Sequence, residues 1–496
     1  MEHFTAPSGS SETPENAEIS RREFLKTAGL GLGLLSLSGC ALRELRPLLL
    51  EPETRPNIVL IMADDLGKEW LSCYGAEGIL TPNIDRLARD GIRFDNAYSM
   101  AQCTPSRVSL LTGQYPFTHG WVNHWGVPQF GKGCRFDEKY YNAFPRLLQD
   151  AGYATAIAGK WQLNDFRIEP ESLGAHGFDN WCVWTGRESD NPASEQRYWD
   201  PYIHTRSGSN TRYGEYGPDV YCNFLIDFAR QNRDRPFFLY YPMCMIHKPF
   251  TPTPAEPTVS GKLNKFRAMI RYTDSLIGRL MESLEVIGVR DNTVVIFMTD
   301  NGTARNVKGV LNGRAVKGGK ATLLEAGVNS PFIVSAPSSP IGIVSDALVD
   351  ITDIYPTLVD LAGTTVPRSV KVDGNSFAGL IDPTFRHKIE VELGLAITER
   401  EWILSMGYGL AKLNEDGRVV NVSNYANRVI RDKRYKLVII EGDASAFYDL
   451  KNDPGEETNI LETANTSQIA VKHQLLGILD SLPSKDADRE YYPLTL

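Results

Sequence analysis

From residue 57 onward the chain alternates continuous apolar runs with segments of helical spacing. NIVLIM (57–62), ATAIA (154–158), PFFLYY (236–241), TVVIFM (293–298) and PFIVSA (331–336) carry no polar alternation. That pattern predicts strands covered on both faces. TPNIDRLARDG (81–91) offers a Thr cap, a Pro at the first position and a Gly stop, and predicts a helix. KFRAMIRYTDSLIGRLMESLEVIG (265–288) predicts a long amphipathic helix ending at Gly288. DITDIYPTLVDLAG (350–363) predicts another, kinked or restarted at Pro356. AQCTPSRVSLLTG (101–113) has Pro in a first turn and Gly113 as a stop, which puts Cys103 at or just before a helix N-terminus. Strands alternating with helices predict an α/β fold with a large, mostly parallel central sheet flanked by helices.

Beyond about residue 375 the pattern changes. RVIRDKRYKLVII (428–440) and SAFYDL (445–450) read as short antiparallel strands, and SQIAVKHQLLGIL (467–479) as a closing helix. The expected division is a large catalytic domain over 57–375 and a smaller C-terminal α+β subdomain with an antiparallel sheet over 376–496. At the other end, SRREFLK (20–26) is a twin-arginine signal. The apolar stretch 28–39 is shorter than the ~20 residues of a membrane span, and LSGC (37–40) is lipobox-like. Residues 1–40 are therefore expected to direct export by the twin-arginine machinery to the periplasm or cell envelope. Lipid attachment at Cys40 is expected, with a soluble periplasmic form as the alternative, and residues 41–56 read as a tether.

The formal charge of -9 excludes a general nucleic-acid binder. Of seven cysteines, setting aside Cys40 and Cys103 leaves Cys73, Cys134, Cys182, Cys222 and Cys244. This odd, irregularly spaced set is no disulfide scaffold, though it leaves room for one or two bridges. Trp121, Trp125, Trp161, Trp181, Trp184 and Trp199 cluster in one region, more as core than as sugar-stacking platforms.

The chemistry collects where strands end. NIVLIM runs into Asp64-Asp65, ATAIA into Gly159-Lys160, and TVVIFM into Thr299-Asp300-Asn301. PFFLYY leads on to His247. Open α/β sheets bind ligands at the carboxyl ends of strands. Acids and an amide at one sheet edge suit a hard divalent cation, Ca2+ or Mg2+. GTARNVKGVLNGRAVKGGK (302–320) carries Arg305, Lys308, Arg314, Lys317 and Lys320 without an acid. It reads as an anion-recruiting mouth or as a solvated loop. A helix N-terminus beside Arg107 is an electropositive seat for a Cys103 thiolate or an oxyanion. A metal, a helix N-terminus and several cations around one anion fit transfer or hydrolysis of a sulfate or phosphate ester.

CTPSRVSLLTG (103–113) matches every fixed position of the type I sulfatase signature C-x-P-S-R-x-x-L-x-T-G. PNIVLIMADDLG (56–67), AGKW (158–161), GFDNW (177–181), IHKPF (246–250), TDNG (299–302), GGKATLLEAG (318–327) and FYDLKNDPGEETN (447–459) follow in that family's order. The chain thus resembles the formylglycine-dependent sulfatases of the alkaline-phosphatase-like superfamily. The resemblance implies that Cys103 is oxidised to formylglycine by a maturation enzyme, and that its hydrate attacks sulfur. Asp64, Asp65, Asp300 and Asn301 would ligate the metal, usually Ca2+ with Mg2+ as the alternative, together with modified Cys103. Arg107 would hold the nucleophile and Asp300 would act as base. Lys160, Gln162, His247 and Lys320 would line the substrate, Lys160 and Lys320 on its sulfate and His247 as proton donor to the leaving oxygen.

Two departures stand out. Gly-Lys-Trp-His of the family is Gly159-Lys160-Trp161-Gln162, and a Gln cannot act as a base. Asp300 or a metal-linked water are the expected substitutes, with His119 and His124 placed less well. The family's Glu-Gly-Gly-x-Arg-x-Pro is Glu325-Ala326-Gly327-Val328-Asn329-Ser330-Pro331, lacking the Arg. The expected function is hydrolysis of a sulfate ester, by preference on a carbohydrate. The alternatives are a phosphonate or phosphodiester hydrolase on the same fold, and a lipid-anchored binding protein that has lost turnover at Gln162.

Overall fold

The computed structural model describes residues 55–130, 135–387, 390–391, 399–407, 409–415, 419–420, 427–483 and 486–487. The twin-arginine stretch, Cys40 and Cys134 lie outside the described residues. β1 (Asn57–Ala63) alternates its side chains between two separate hydrophobic cores. Ile58, Leu60 and Met62 face one core; Val59, Ile61 and Ala63 face the other. This is why the run is apolar without a break.

β1 is central to a ten-stranded sheet. Its members are β2 (Ile92–Tyr98), β3 (Ala154–Lys160), β4 (Asn180–Trp184), β5 (Tyr202–Thr205), β6 (Gly208–Thr211), β7 (Phe237–Pro242), β8 (Thr293–Thr299), β11 (Phe332–Ser335) and β12 (Ile343–Asp350). The order is β12-β2-β11-β8-β1-β7-β3-β4-β5-β6. The run β8-β1-β7-β3-β4 is parallel, as is β12 on β2. β11 is antiparallel to both its neighbours, and so are β5 to β4 and β6 to β5. The sheet is therefore mixed but mostly parallel, with a parallel centre, as expected. β11 reverses because the chain from the end of β8 stays on one edge of the sheet. Parallel pairing needs a crossover to carry it back.

Helices cover both faces. α1 (Pro82–Arg89) has Pro in its first turn, but Thr81 makes no side-chain cap and Asp90, not Gly91, ends it. α2 (Cys103–Thr112) is buried along its whole length and closes at Gly113 in the left-handed region. α3 (Phe144–Asp150) and α6 (Ile354–Leu361) pack on one face. α4 (Gly217–Gln231) and α5 (Lys262–Ile287) pack on the other. A short 3-10 turn, Ile351–Asp353, precedes α6, so Pro356 sits in the first turn of a restarted helix and does not kink it.

The basic stretch 302–320 is not an open loop. It folds as a hairpin, β9 (Lys308–Leu311) against β10 (Arg314–Lys317). β13 (Ile403–Met406), β16 (Arg428–Arg431), β17 (Tyr435–Ile440) and β18 (Asp443–Asp449) form the C-terminal antiparallel sheet. A two-residue pair, β14 (Lys412–Leu413) and β15 (Val419–Val420), stands apart. α7 (Thr466–Ser481) packs against β16 and β17, and Asn465 and Gln468 cap it reciprocally. Cys73, Cys103, Cys182, Cys222 and Cys244 are free thiols, so none of them forms one of the one or two bridges the sequence left room for. Trp121, Trp125, Trp161, Trp181 and Trp184 are buried, as expected, while Trp199 is partly exposed. No helix among the described residues is long and apolar enough to cross a membrane.

Candidate active site

Four adjacent parallel strands, β8, β1, β7 and β3, deliver their ends to one edge. Ala63 pairs with Thr299, so Asp64-Asp65 and Asp300-Asn301 emerge side by side. β3 ends in Lys160, and Gly159 before it has φ 124°. A Cβ on Gly159 would lie 2.0 Å from the Pro242 carbonyl, so the close approach of β3 to the turn after β7 requires glycine. Three non-glycine residues in the left-handed region flank the site: Asp65, Gln162 and Ala321. Such conformations are costly and mark functional turns. Asp is one of the few side chains that tolerate this region well, whereas Gln162 and Ala321 carry no such signal.

α2 brings Cys103 into this edge. Ser106 Oγ donates to the Asp300 carbonyl at 2.5 Å and fixes the first turn. The Cys103 sulfur lies 3.5 Å from Asp64 Oδ1, 4.0 Å from Asp65 Oδ1 and 3.3 Å from Lys320 Nζ. Lys160 Nζ bonds Asp64 Oδ2 at 2.6 Å, and Lys320 Nζ bonds Asp65 Oδ1 at 2.5 Å. Arg107 Nη2 donates to Asp300 Oδ2 at 2.8 Å and lies 3.8 Å from Asp64 Oδ2. Asp64, Asp65, Cys103, Arg107, Lys160, Asp300 and Lys320 therefore come to one place. Of the five basic residues in 302–320, Lys320 enters it. Arg305 instead donates to the Lys320 carbonyl, Arg314 reaches the Pro454 carbonyl, and Lys308 and Lys317 are exposed on the hairpin. The anion-recruiting mouth thus reduces to Lys320.

The electrostatics follow from burial and pairing. Burial pushes Asp64 up, but Lys160, His247 and Arg107 outweigh it and hold the carboxyl well below its usual range. Asp65 is also lowered: burial is outweighed chiefly by Lys320 and His247. Asp300 rises to about 6, through burial and the charge of Asp64. Burial, with Asp300 adding to it, pushes the Cys103 thiol up to about 12. The expected thiolate is thus corrected to a protonated thiol: desolvation outweighs the helix terminus and the lysines.

The donor set fits a hard divalent cation. Ligand atoms of Asp64, Asp65, Cys103 and His247 lie within 4.8 Å of one another. Asn301 Nδ2 bonds Asp65 Oδ1 at 2.8 Å, and its buried Oδ1 has no hydrogen-bond partner. Three carboxylates and an unused amide oxygen are the ligands such an ion prefers.

A cavity of about 370 Å³ opens on this edge, lined by His124, Lys160, Gln162, Trp184, Arg197 and His247 among others. His247 Nδ1 donates to the Lys248 carbonyl at 2.8 Å, and Nε2 lies 3.9 Å from Asp65 Oδ2. Burial, then Lys320, pushes its pKa down to about 3. His119 is fully buried with Nε2 on Ser109 and Nδ1 on the Trp121 amide, away from proton transfer. His124 differs and is better placed than its sequence position suggested. Thr104 Oγ1 donates its one proton to the Trp125 carbonyl at 3.1 Å and accepts the Trp125 amide at 3.2 Å. The same hydroxyl lies 3.1 Å from His124 Nδ1. His124 lines the cavity, and burial, with Lys320 and Lys160 adding to it, keeps the ring neutral, with its pKa pushed down to about 3.

The missing Arg at 329 is also explained. Asn329 accepts from Lys68 Nζ at 2.6 Å and donates to Glu325 at 2.8 Å. Glu325 takes its cations from the C-terminal sheet, with Arg431 at 2.9 Å and Lys436 at 3.1 Å.

A family model described as Sulfatase matches residues 56–364. Human N-acetylgalactosamine-6-sulfatase is 34% identical over 345 residues, 64% of this chain and 64% of that protein. The match thus spans just under two thirds of that relative's length. The N-acetylgalactosamine-6-O-sulfatase of Bacteroides thetaiotaomicron is 28% identical over 508 residues, 87% of this chain and 94% of the relative. Among solved structures, Ps i-CgsB in complex with k-i-k-neocarrahexaose superposes with a TM-score of 0.69 at 23% identity, covering 89% of this chain and 95% of that one. At that identity the likeness speaks for the fold.

Proposed function

This chain belongs to the sulfatase family, and we propose that it hydrolyses a sulfate ester on a carbohydrate. The observation that carries the reading is the meeting of the Cys103 sulfur, Lys320 Nζ and the Asp64-Asp65 carboxylates beside a cavity whose wall includes Lys160 and His247. Several similar proteins named as sulfatases of N-acetylhexosamine support a sugar substrate. Formylglycine made from Cys103 would supply the nucleophilic hydroxyl of its hydrate, and a divalent cation, Ca2+ or Mg2+, would polarise the reacting oxygens. Asp64, Asp65, Asp300 and Asn301 are the residues that would hold the ion.

The remaining work falls to side chains already in place. Lys160 and Lys320 offer fixed ammonium groups to the sulfate oxygens, in a site too buried for water to screen them. Arg107 holds Asp300 in position. Burial, and then Lys320, depress His247; a bound sulfate offsets the lysine charge and favours a ring that has taken a proton from solvent, whose Nε2–H donates to the leaving oxygen. His124 Nε2 accepts the proton that Gln162 cannot. SRREFLK and LSGC support export by the twin-arginine machinery and a lipid anchor at Cys40, and the Cys103 signature supports a maturation enzyme as partner.

The test is sulfate release from a panel of sulfated glycans, alongside a phosphodiester, by the native chain and by Asp300→Ala. Sulfate release by the native chain alone is the expected result. Equal rates for the two chains, or cleavage of the phosphodiester alone, would contradict the reading.

A further inference from the structure

A second basic surface lies beside the catalytic cavity. Lys248 directly follows His247, and Pro249 lines both the cavity and a groove of about 640 Å³. Lys248, Lys262 and Lys265 surround this groove, and Phe250 lines it. The Asn306 side-chain amide, turned so that its oxygen faces the ammonium groups, accepts from Lys262 Nζ at 2.6 Å and from Lys248 Nζ at 3.2 Å. Two cations thus converge on one neutral oxygen. Among the described residues, none of the three lysines is in an ion pair with a carboxylate. Glu256, on the segment between Phe250 and Lys262, is taken by Arg271 at 2.8 Å.

The arrangement runs against local stability. Lys262 and Lys265 occupy the first turn of α5, which holds no acidic residue. The positive end of a helix favours anions and disfavours cations. Like charges gathered at such an end, in a protein with a net charge of -9, repel one another unless an anion joins them. An acid at any of these positions would relieve the repulsion, and the chain has none there.

We propose that this groove binds a second anionic group of the substrate, so that the preferred substrate is an oligosaccharide bearing a further sulfate or a carboxylate besides the ester that is cleaved. The inference rests on the sulfatase reading above, and it names the substrate class. With the scissile ester between Lys160 and Lys320, the glycan leaves the cavity past His247 and Pro249. Its next charged residue meets Lys248, Lys262 and Lys265, while Phe250 offers an apolar face to a sugar ring. The lysines supply charge without fixed geometry, so sulfate and carboxylate share the site.

The experiment pairs native enzyme with a Lys262→Gln/Lys265→Gln variant; neither lysine belongs to the catalytic set. Substrates are a small aryl sulfate, a monosulfated neutral oligosaccharide, a disulfated one and a monosulfated one carrying a uronate. The expected result is that the native chain favours either or both doubly anionic substrates. The variant raises KM for the favoured substrate about fivefold or more, with kcat held and the aryl sulfate unaffected. Binding of the same oligosaccharides to Cys103→Ala protein, by calorimetry, gives a readout independent of turnover. Equal KM values for native and variant chains on every substrate would overturn the groove. So would equal affinities for the singly and doubly anionic oligosaccharides. Failure of the sulfatase reading is distinguishable, because the native chain would then leave the aryl sulfate and all three glycans intact.

Discussion

Lys320 Nζ sits 3.3 Å from the sulfur of Cys103, brought there from 217 residues further along the chain. The same ammonium bonds Asp65. One cation therefore touches both Cys103, the proposed seat of the nucleophile, and a carboxylate proposed to hold the metal. Lys320→Ala should lower kcat/KM by about 10²- to 10³-fold, the scale of losing one fixed charge donor at a transition state. Steady-state kinetics check this, with an unchanged melting temperature showing that the fold survives. A loss below threefold would remove Lys320 from the site.

Asp64, Asp65 and Asp300 crowd one sheet edge, and the unpartnered oxygen of Asn301 joins them. A divalent ion that binds the folded chain alone should stabilise it by about 2.7 kcal/mol at a hundredfold excess over Kd. Calorimetric melting in chelator and then in Ca2+ or Mg2+ should show that rise. Asn301→Leu should abolish most of it. Identical melting curves with and without ion would contradict the proposed ligand set.

His124 lines the same cavity as Gln162, with its Nδ1 3.1 Å from Thr104 Oγ1. If it carries the proton that Gln162 cannot, His124→Gln should lower kcat about 10²-fold. Adding Gln162→His to that variant should restore part of the rate. A structural role for His124 would give no such rescue, and a full rate in the single variant would end the assignment.

Glu325 ties the Lys320 loop to the C-terminal sheet through Arg431 and Lys436. Burial raises its pKa, but the two cations outweigh it and hold the carboxyl at about 2. A folded pKa below the unfolded value of 4.5 means stabilisation fully present above that value. It is lost as pH falls toward 2. Acid titration of the melting temperature should therefore show a steeper fall below pH ~4.5 in the native chain than in Glu325→Gln. Lys436→Met, which strands a buried carboxylate, should cost about 3–5 kcal/mol at neutral pH.

The strands at the centre of the sheet were legible because burial on both faces leaves no polar position in them, as in Ile58 to Met62. β2 was not, since its burial alternates and it carries Arg93, Asp95 and Asn96. β12 was not, since its first half is exposed. The direction of β11 depends on where the preceding loop leaves the chain, which apolar pattern does not record. The site was legible where acids, Lys160 and His247 follow strands. It was not legible where three-dimensional closure does the work. His124 is separated from Gln162 in sequence by α3 and β3, and Arg431 and Lys436 lie about a hundred residues beyond the Glu325 they neutralise. The left-handed turns at Gln162 and Ala321 carry no residue-type signal.

The central claim is that Cys103 seats the nucleophile of a sulfatase. Peptide mass spectrometry across residue 103, on chain purified from its native host, tests it most directly. An aldehyde or its hydrate is expected at that position. An intact thiol throughout the active, folded protein would contradict it.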